Sequence, residues 1–401
     1  MSCNSGLLFR SICGFRSFNF KKNMDKRIYL CLAHMSGKEQ DFIKEAFETN
    51  WVVPLGPNVN AFEEALESFV GENKRIVALS AGTAAIHLAL IQLGVQPGDE
   101  VICQSFTFCA SANPVTYVGA IPVFVDSEET TWNMSPILLE KAIQDRIVKT
   151  GKKPKAIIPV HLYGMPAKMD EICAIAEKYE IPVVEDAAEA LGSEYKRRKC
   201  GTFGTYGALS FNGNKMITTS GGRALIVPDE AAKKQTLFYA TQAREPFPYY
   251  QHEHIGYNYR MSNICAGIGC GQMTVLEKHI AHHRHVHALY EQAFADIEGI
   301  TLKSNPAKEF DANYWLCTIL IDPVATGFDY EELRVALDAK GIETRPLWKP
   351  MHLQPVFAHN PCYIDGTAEK LFNKGLCIPA GPFVTDEDVA YIVNEIRKQL
   401  R

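Results

Sequence analysis

Residues 155–192 read KAIIPVHLYGMPAKMDEICAIAEKYEIPVVEDAAEALG, and this stretch decides the fold class. Two short apolar runs, AIIPV and IPVVED, flank the segment MDEICAIAEKYE, in which apolar residues recur at helical spacing. Short apolar runs between polar loops are typical of fully buried strands. The stretch therefore predicts a strand, a helix and a second strand parallel to the first.

The same alternation of strands and helices extends in both directions from this unit. Strand-like runs such as RIVALSAG, DEVICQSF and IPVFVD precede it, with helical segments such as TAAIHLALIQLG between them, and YGALSF follows it. This pattern predicts an α/β fold in which a mostly parallel sheet is covered by helices on both faces. We expect this large domain to span residues 24–275.

The alternation ends after VLEKH, and the rest of the chain has a different pattern. A long helical segment is followed by strand-like runs near YWLCTILI and IETRPLW and by terminal helices. Residues 276–401 are therefore expected to form a smaller C-terminal α+β domain. Residues 1–23 contain four Lys or Arg and no acid, and we expect a disordered extension rather than a targeting peptide, because no secretory apolar core is present.

The composition is that of an ordinary globular protein and excludes several classes of function. The 401 residues are 47% hydrophobic and 22% charged, with a net charge of -5. No basic footprint for nucleic acid and no apolar run of transmembrane length is present, so we expect neither a nucleic-acid nor a membrane partner. Twelve cysteines without a C-x-x-C pair indicate reduced thiols and a cytoplasmic protein.

Polar residues gather where the predicted strands end. They lie at 80–83, 105–108, 161–163 and 185–189, and Lys215 follows the run YGALSF. Open parallel sheets bind ligands at the carboxyl ends of their strands. The sequence therefore predicts a ligand site that includes Lys215.

Lys215 stands in FNGNKMITTSGG (211–222), between two strand-like runs. A solvated lysine is the ordinary alternative, but the small polar loop favours a lysine held at a site. A lysine amine becomes nucleophilic toward carbonyl groups when burial or a nearby cation lowers its pKa. Schiff-base chemistry with pyridoxal phosphate would also need an acid at the ring nitrogen, a phosphate cup and a group flat against the ring.

Candidates for each of these parts follow neighbouring strands. Asp186 could pair with the ring nitrogen, although it could equally cap a helix. Gly82 and Thr83 begin a predicted helix, where free N–H groups suit a phosphate, and Ser210 could add a hydroxyl. Phe108 could stack on the ring or lie in the core.

The order of these motifs resembles one family. SAGTAAIHLAL, SFTFCASAN, VVEDAAEALGS, SFNGNKMITTSGG and GYNYRMSNI are similar to segments of the DegT/StrS-type nucleotide-sugar aminotransferases, which are fold-type-I pyridoxal-phosphate enzymes. The resemblance runs from about Tyr29 to the C-terminus. It implies that Lys215 forms the imine with the cofactor.

The resemblance also implies roles for the other candidates. Asp186 would pair with the ring nitrogen, Glu189 would lie near the 3-hydroxyl and Phe108 would stack on the ring. The phosphate would be bound by Gly82, Thr83, Ser210 and Asn258, the last from the neighbouring subunit. A homodimer with shared active sites is therefore expected.

The segment ETRPLWKPMHLQPVF (343–357) resembles the part of these enzymes that meets the nucleotide sugar. Arg345, Lys349 and His352 are candidates for contacts with its diphosphate or hexose, since cationic side chains neutralise phosphate charge. Solvated loop charges are the alternative for each. Trp51 and Asn58 are further candidates near the N-terminus.

The activity that the resemblance implies is transfer of an amino group, expected from L-glutamate, to a nucleotide-linked 4-keto-6-deoxy hexose for surface polysaccharide synthesis. Within the family the sequence resembles GDP-perosamine synthases and UDP-4-keto-sugar aminotransferases, and the nucleotide, hexose and ketone position stay open. Two alternatives are a sugar dehydratase of the same fold, which has a histidine in place of Lys215, and a non-catalytic regulator. The intact Lys215 disfavours both.

Three residues depart from the family pattern. Arg223 stands where a further glycine is usual, Arg197 replaces a turn glycine, and Cys270 replaces a common arginine. Because glycine supplies backbone freedom that arginine lacks, Arg223 and Arg197 are expected to cost stability or to crowd the strand that carries the cofactor.

Two other patterns point to alternative chemistry. His279, His283 and His287 are spaced i, i+4 within HIAHHRHVH, which also holds His282 and His285. A metal site is one interpretation, but a solvated helix face is favoured because no carboxylate or cysteine completes the site. The run GIGCG lies in a helical segment and has the wrong spacing for a dinucleotide fold.

Overall fold

The computed structural model describes residues 27–400, so the expectation for residues 1–23 lies outside the described part of the chain. The strands are β1 Arg75–Leu79, β2 Glu100–Gln104, β3 Ile121–Val125, β4 Ala156–Ile158, β5 Val184–Asp186, β6 Glu194–Tyr195, β7 Arg198–Lys199, β8 Tyr206–Ser210, β9 Arg223–Val227, β10 Ile300–Leu302, β11 Phe310–Asp311, β12 Cys317–Ile321, β13 Arg345–Pro346, β14 Cys362–Tyr363 and β15 Gly375–Ile378. The helices are α1 Glu39–Glu48, α2 Pro57–Val70, α3 Gly82–Gln92, α4 Asn113–Tyr117, α5 Pro136–Thr150, α6 Met169–Lys178, α7 Glu230–Ala240, α8 Asn263–Met273, α9 Leu276–Phe294, α10 Pro323–Thr326, α11 Tyr330–Asp338, α12 Thr367–Phe372 and α13 Asp386–Arg397.

The large sheet is mostly parallel, as the alternating pattern predicts. One half has the order β14-β3-β2-β4 with every pair parallel, and the other has the order β5-β8-β9-β1. Parallel bridges from Ile157 to Val183 and from Val160 to Asp186 place β4 beside β5 and join the halves. Among the described residues of this sheet, β9 is the one strand that is antiparallel to its neighbours.

Both faces of this sheet are buried. Along β2, Val101 and Cys103 pack in the cluster that contains α3, whereas Ile102 between them packs in the cluster that contains α5 and α6. This alternation follows from the two-residue period of a strand. The long apolar runs of the sequence thus correspond to strands covered by helices on either side.

Several helices begin at residues whose side chains cap them, and α5 ends at a glycine in the left-handed conformation. Ser135 accepts a hydrogen bond from Leu138 N at the start of α5, and Gly151 ends that helix with a φ of 69°. Asp329 and Thr385 form capping boxes at α11 and α13. Such caps satisfy N–H groups that a helix leaves free.

The C-terminal part contains an antiparallel sheet of order β10-β12-β15-β13, packed against α9, α11 and α13. This is the α+β arrangement that the sequence predicts. The boundary at residue 275 stays a prediction, because β14 from this part joins the large sheet beside β3.

No helix in residues 27–400 is both long and apolar enough to cross a membrane. The ten cysteines of the described residues are all free thiols, and most are buried.

Candidate active site

A cavity of about 510 Å³ opens at the carboxyl edge of the large sheet. Loops that follow β1, β2, β5 and β8 contribute to its wall, together with residues of the C-terminal part. The predicted site residues that line it are Thr83, Phe108, Asp186, Glu189, Ser210 and Lys215. The fold thus brings together side chains from four separate loops, as expected for ligands of an open sheet.

Lys215 lies in the loop between β8 and β9, where its N–H donates to the carbonyl of Asn212 at 2.9 Å. Its Nζ is 3.5 Å from Glu189 Oε1, and the side chain is 11% exposed. Burial lowers the pKa of this amine, and the neighbouring Arg223 lowers it further, while Glu189 acts in the opposite direction. The solvated alternative is therefore wrong.

Asp186 ends β5, and its carboxylate is held from two sides. Oδ2 accepts a hydrogen bond from Ser111 Oγ at 2.6 Å, and Oδ1 accepts one from Ala188 N at 3.1 Å. A turn rather than a helix follows Asp186, so the helix-cap alternative is wrong. The carboxylate is fixed in orientation and faces the cavity.

Glu189 is the buried partner of Lys215. Its Oε2 accepts a hydrogen bond from Tyr163 N at 2.6 Å, and its Oε1 faces Lys215 Nζ. Burial raises the pKa of this carboxyl, although the lysine pulls it down. Glu189 and Lys215 thus form a buried pair whose members stabilise each other's charged form.

The N-terminus of α3 faces the same cavity. Gly82 begins this 11-residue helix, and Ala81 at its N-cap has no side chain to satisfy the first N–H groups. Ser80, Thr83 and Ser210 add hydroxyl groups around it. Free amides at a helix N-terminus with hydroxyls nearby suit a phosphate.

Phe108 is 47% exposed and lines the cavity, so the alternative core position is wrong. Its ring centroid is 5.2 Å from that of Trp348. Trp315 lines the cavity beside Lys215, and its indole N–H donates to the carbonyl of Asn214 at 2.5 Å. An aromatic wall therefore faces the lysine and the acids.

A second cavity of about 800 Å³ adjoins the first, and both are lined by Asn214, Trp315 and Trp348. Arg345 and Lys349 line it, and their contact with a nucleotide sugar stays a prediction. The guanidinium of Arg345 is 2.7 Å from Glu343 Oε1.

His352 lies outside both cavities. Its Nδ1 is 2.7 Å from Ser105 Oγ and its Nε2 is 3.1 Å from Glu369 Oε1, so the imidazole fastens the loop after β2 to α12. The structure does not place His352 as a substrate contact in this chain.

Three further candidates lie away from both cavities. Asn258 is exposed, and its side-chain oxygen accepts from Gln242 Nε2 at 3.3 Å. Asn58 is buried and donates to the carbonyl of Asn263, and Trp51 is exposed. Neither Asn58 nor Trp51 is brought to the site within the chain.

The three histidines of α9 that are spaced i, i+4 do not lie on a solvated face, contrary to the sequence interpretation. His279, His283 and His287 are buried, and their rings contact the backbone carbonyls of Met216, Tyr314 and Lys303 respectively. The first two carbonyls adjoin Lys215 and Trp315. No cluster of three potential metal-binding side chains occurs among residues 27–400.

The three departures from the family pattern have different consequences. Arg223 lies in β9 in ordinary strand geometry, so the expected need for glycine freedom is wrong there. Arg197 has a φ of 65°, in the turn between β6 and β7, where glycine would be favoured. Cys270 is buried in α8 and its Sγ contacts the carbonyl of Asn58.

Trp315 and Trp348 line the cavity although no sequence motif indicated them, and Arg223, noted only as a departure from the family pattern, lines it as well. Trp315 lies about one hundred positions beyond Lys215, in a segment interpreted only as a strand. No local pattern marks it, and only the packing of the C-terminal part against the large sheet reveals it.

The residues present fit pyridoxal phosphate. The uncapped end of α3 provides donors for a phosphate, Asp186 provides a carboxylate for a ring nitrogen, and Lys215 provides a buried amine for an aldehyde. Nη1 of Arg223 is buried without a hydrogen-bond partner beside them, which is typical of a site that a bound ligand completes. Fold and site together define a fold-type-I aminotransferase that uses pyridoxal phosphate.

Comparison with known proteins identifies the family. The model of the DegT/DnrJ/EryC1/StrS aminotransferase family matches residues 34–397, and the chain belongs to this family. It is 48% identical to EpsN of Bacillus subtilis, named as a pyridoxal phosphate-dependent aminotransferase, over 92% of this chain and 95% of the relative. It is 36% identical to GDP-perosamine synthase of Escherichia coli O157:H7 over 91% of this chain and 96% of that enzyme. A DegT DnrJ EryC1 StrS aminotransferase from Brucella abortus shares the fold with a TM-score of 0.84 at 29% identity, covering 90% of this chain and 95% of that one.

Proposed function

We propose that this enzyme transfers an amino group from L-glutamate to the ketone of a nucleotide-linked 4-keto-6-deoxy hexose, in the cytoplasm, for synthesis of a surface polysaccharide. The observation that carries the proposal is the buried Lys215 amine between Glu189 and the ring of Trp315, in a cavity that continues into a larger cationic one. Similarity to the GDP-perosamine synthase supports the substrate class.

Pyridoxal phosphate, when bound, supplies an aldehyde that accepts amino groups and a ring that takes up electrons as a proton leaves the adjacent carbon. Lys215 is the group of this chain that moves that proton. Its lowered pKa makes the amine easier to deprotonate than a solvated lysine, so Nζ can take a proton and return it.

The neighbours of Lys215 serve both of its charge states. Glu189 accepts a hydrogen bond from the amine at 3.5 Å, and the face of Trp315 stabilises the ammonium form. Ser111 and Ala188 N fix the Asp186 carboxylate, which would pair with the ring nitrogen. Thr83, Ser210 and the N-terminus of α3 would orient the phosphate.

The second cavity is proposed to hold the nucleotide sugar. Arg345 and Lys349 supply positive charge to its wall, and Trp348 lines both cavities. A diphosphate bound by these cations would leave its hexose directed toward Lys215. We expect L-glutamate to enter the same site in the other half-reaction.

We further propose a homodimer in which Asn258 completes the partner's phosphate cup. Support comes from its position, since the side chain is exposed and lies outside both cavities of its own chain. A residue placed in this way can serve a cofactor only across an interface between subunits.

The cofactor assignment is tested by covalent labelling of the lysine that binds the cofactor. Purified protein is incubated with pyridoxal phosphate, reduced with borohydride and digested, and the modified peptide is identified by mass spectrometry. We expect modification at Lys215 only, and loss of turnover in Lys215→Ala. Modification spread over exposed lysines, or full turnover in the variant, would overturn the assignment.

The substrate class is tested with a panel of nucleotide-linked keto sugars. The enzyme is assayed with L-glutamate and with GDP-, UDP- and dTDP-linked 4-keto-6-deoxy hexoses, and products are separated by mass. Amination of at least one of them is expected. Lys349→Ala should raise KM for the nucleotide sugar and leave the half-reaction with glutamate unchanged.

A further inference from the structure

Arg223 is a buried arginine inside the cofactor cavity. It is 7% exposed and begins β9, directly opposite Ser210 of β8 and Leu79 of β1. Directly opposed residues of an antiparallel pair project to the same face of the sheet. The side chain therefore leaves the sheet on the face where Ser210 lines the cavity, and Arg223 lines it as well.

The guanidinium reaches from β9 toward the end of β5. Its Nη1 lies 3.8 Å from Asp186 Oδ1, which is close enough for charge attraction and too long for a hydrogen bond. Strand β8 lies between β9 and β5, so the side chain crosses over it. Arg223 thus extends from the position of Ser210 to the carboxylate of Asp186.

Nη1 of Arg223 is buried and has no hydrogen-bond partner among the described residues. A buried donor without an acceptor is unfavourable, so this nitrogen favours any acceptor that comes within reach. Asp186 Oδ2 is occupied by Ser111, whereas Oδ1 is bonded only to Ala188 N and retains accepting capacity toward the cavity. Oδ1 is therefore the acceptor that Arg223 and a ring nitrogen would share.

The other charges near Asp186 are Lys215 and Glu189, which face each other at 3.5 Å. Their opposite charges largely cancel at the distance of Asp186. Arg223 remains as the cation closest to this carboxylate.

We propose that Arg223 is a positioning residue that shares Asp186 with the ring nitrogen of pyridoxal phosphate and lowers the affinity of that nitrogen for a proton. The proposal rests on the proposed function. A fixed cation near a second protonated nitrogen disfavours its charged form, because like charges repel. Arg223 therefore makes the ring a weaker electron acceptor than Asp186 alone would.

The test measures the ring nitrogen directly. Wild type, Arg223→Gln and Arg223→Lys are reconstituted with pyridoxal phosphate carrying 15N at the ring nitrogen, and its NMR chemical shift is measured near pH 7. We expect Arg223→Gln to move the shift toward that of the protonated cofactor, equivalent to about a tenfold rise in proton affinity. Arg223→Lys, which keeps the charge, should stay near wild type. An unchanged shift in Arg223→Gln would overturn the proposal.

A second measurement distinguishes an effect of Arg223 on the cofactor ring from an effect on the cofactor phosphate. Binding of pyridoxal phosphate and of pyridoxal is compared in wild type and Arg223→Gln. A tenfold loss of affinity for pyridoxal phosphate but not for pyridoxal would show that Arg223 holds the phosphate and would overturn the proposal. Equal changes in affinity for both compounds support it. Arg223→Gly, which should not lower thermal stability because it also removes the buried unpaired Nη1, gives the same NMR comparison if Arg223→Gln folds poorly. Failure of wild type to bind the cofactor at Lys215 would instead refute the proposed function.

Discussion

The ammonium nitrogen of Lys215 lies 3.5 Å from the centroid of the Trp315 indole ring. Trp315 is fully buried, and its N–H holds the carbonyl of Asn214, the residue before the lysine. A segment far along the chain thus fixes both the loop and the charge of the central amine.

Trp315 is expected to set the rate of proton movement by Lys215. Cation–π contacts of a desolvated ammonium contribute on the order of 1–2 kcal/mol. Trp315→Leu should slow the half-reaction with glutamate about tenfold in single-turnover measurements, with cofactor content retained. Trp315→Phe, which keeps a ring, should lose less. A rate for Trp315→Leu equal to that of wild type would contradict this.

Shared active sites predict complementation between two inactive variants. Lys215→Ala and Asn258→Ala are mixed after unfolding and refolding together. If half of the dimers are mixed and each mixed dimer has one complete site, activity should recover to about a quarter of wild type. Lys215→Ala mixed with Lys215→Met serves as the control, because neither chain can supply the amine. No recovery would contradict the shared site.

Acid should destabilise the enzyme through the buried histidines of α9. Burial lowers the pKa of His283 to about 3 from an ordinary value near 6.5, so only the unfolded state binds its proton between these pH values. The free energy of unfolding should then fall as pH drops below about 6.5, by about 1.4 kcal/mol per pH unit for this group. Below about pH 3 the folded state also binds this proton, so His283 no longer makes the free energy of unfolding depend on pH.

Denaturant unfolding at several pH values checks the contribution of His283. His283→Gln should show a shallower fall between pH 6 and pH 4 than wild type. His285 is exposed on the same helix and pairs with Asp386, so His285→Gln is the matched control. Equal slopes in wild type and His283→Gln would contradict the assignment.

Arg197 should destabilise its turn. It adopts a φ of 65° and is exposed, and a side chain in this conformation costs on the order of 1 kcal/mol, partly offset by the entropy of glycine. Arg197→Gly should raise the free energy of unfolding by about 0.5 kcal/mol. Arg197→Ala keeps the strain and should leave it unchanged. A loss of stability in Arg197→Gly would reveal an unrecognised contact of the arginine.

Sequence patterns identified the fold because they depend on local periodicity and loop chemistry. Short apolar runs gave the parallel strands, and polar residues at the strand ends gave the place of the cavity. The same reasoning went wrong for α9, since five histidines indicated solvent where three of them are buried against backbone carbonyls. A histidine ring can hydrogen-bond to a backbone carbonyl as readily as to water, so the residue type alone does not determine whether the side chain is exposed.

The sequence by itself determined the large sheet, the lysine at its edge and the set of acids and hydroxyls around it. Only the tertiary structure decided that Trp315 covers Lys215, that Arg223 reaches Asp186 and that His352 is held by Ser105 and Glu369. The first group follows from residues close together in the chain, whereas the second depends on how distant segments pack, and short-range patterns carry no information about that packing.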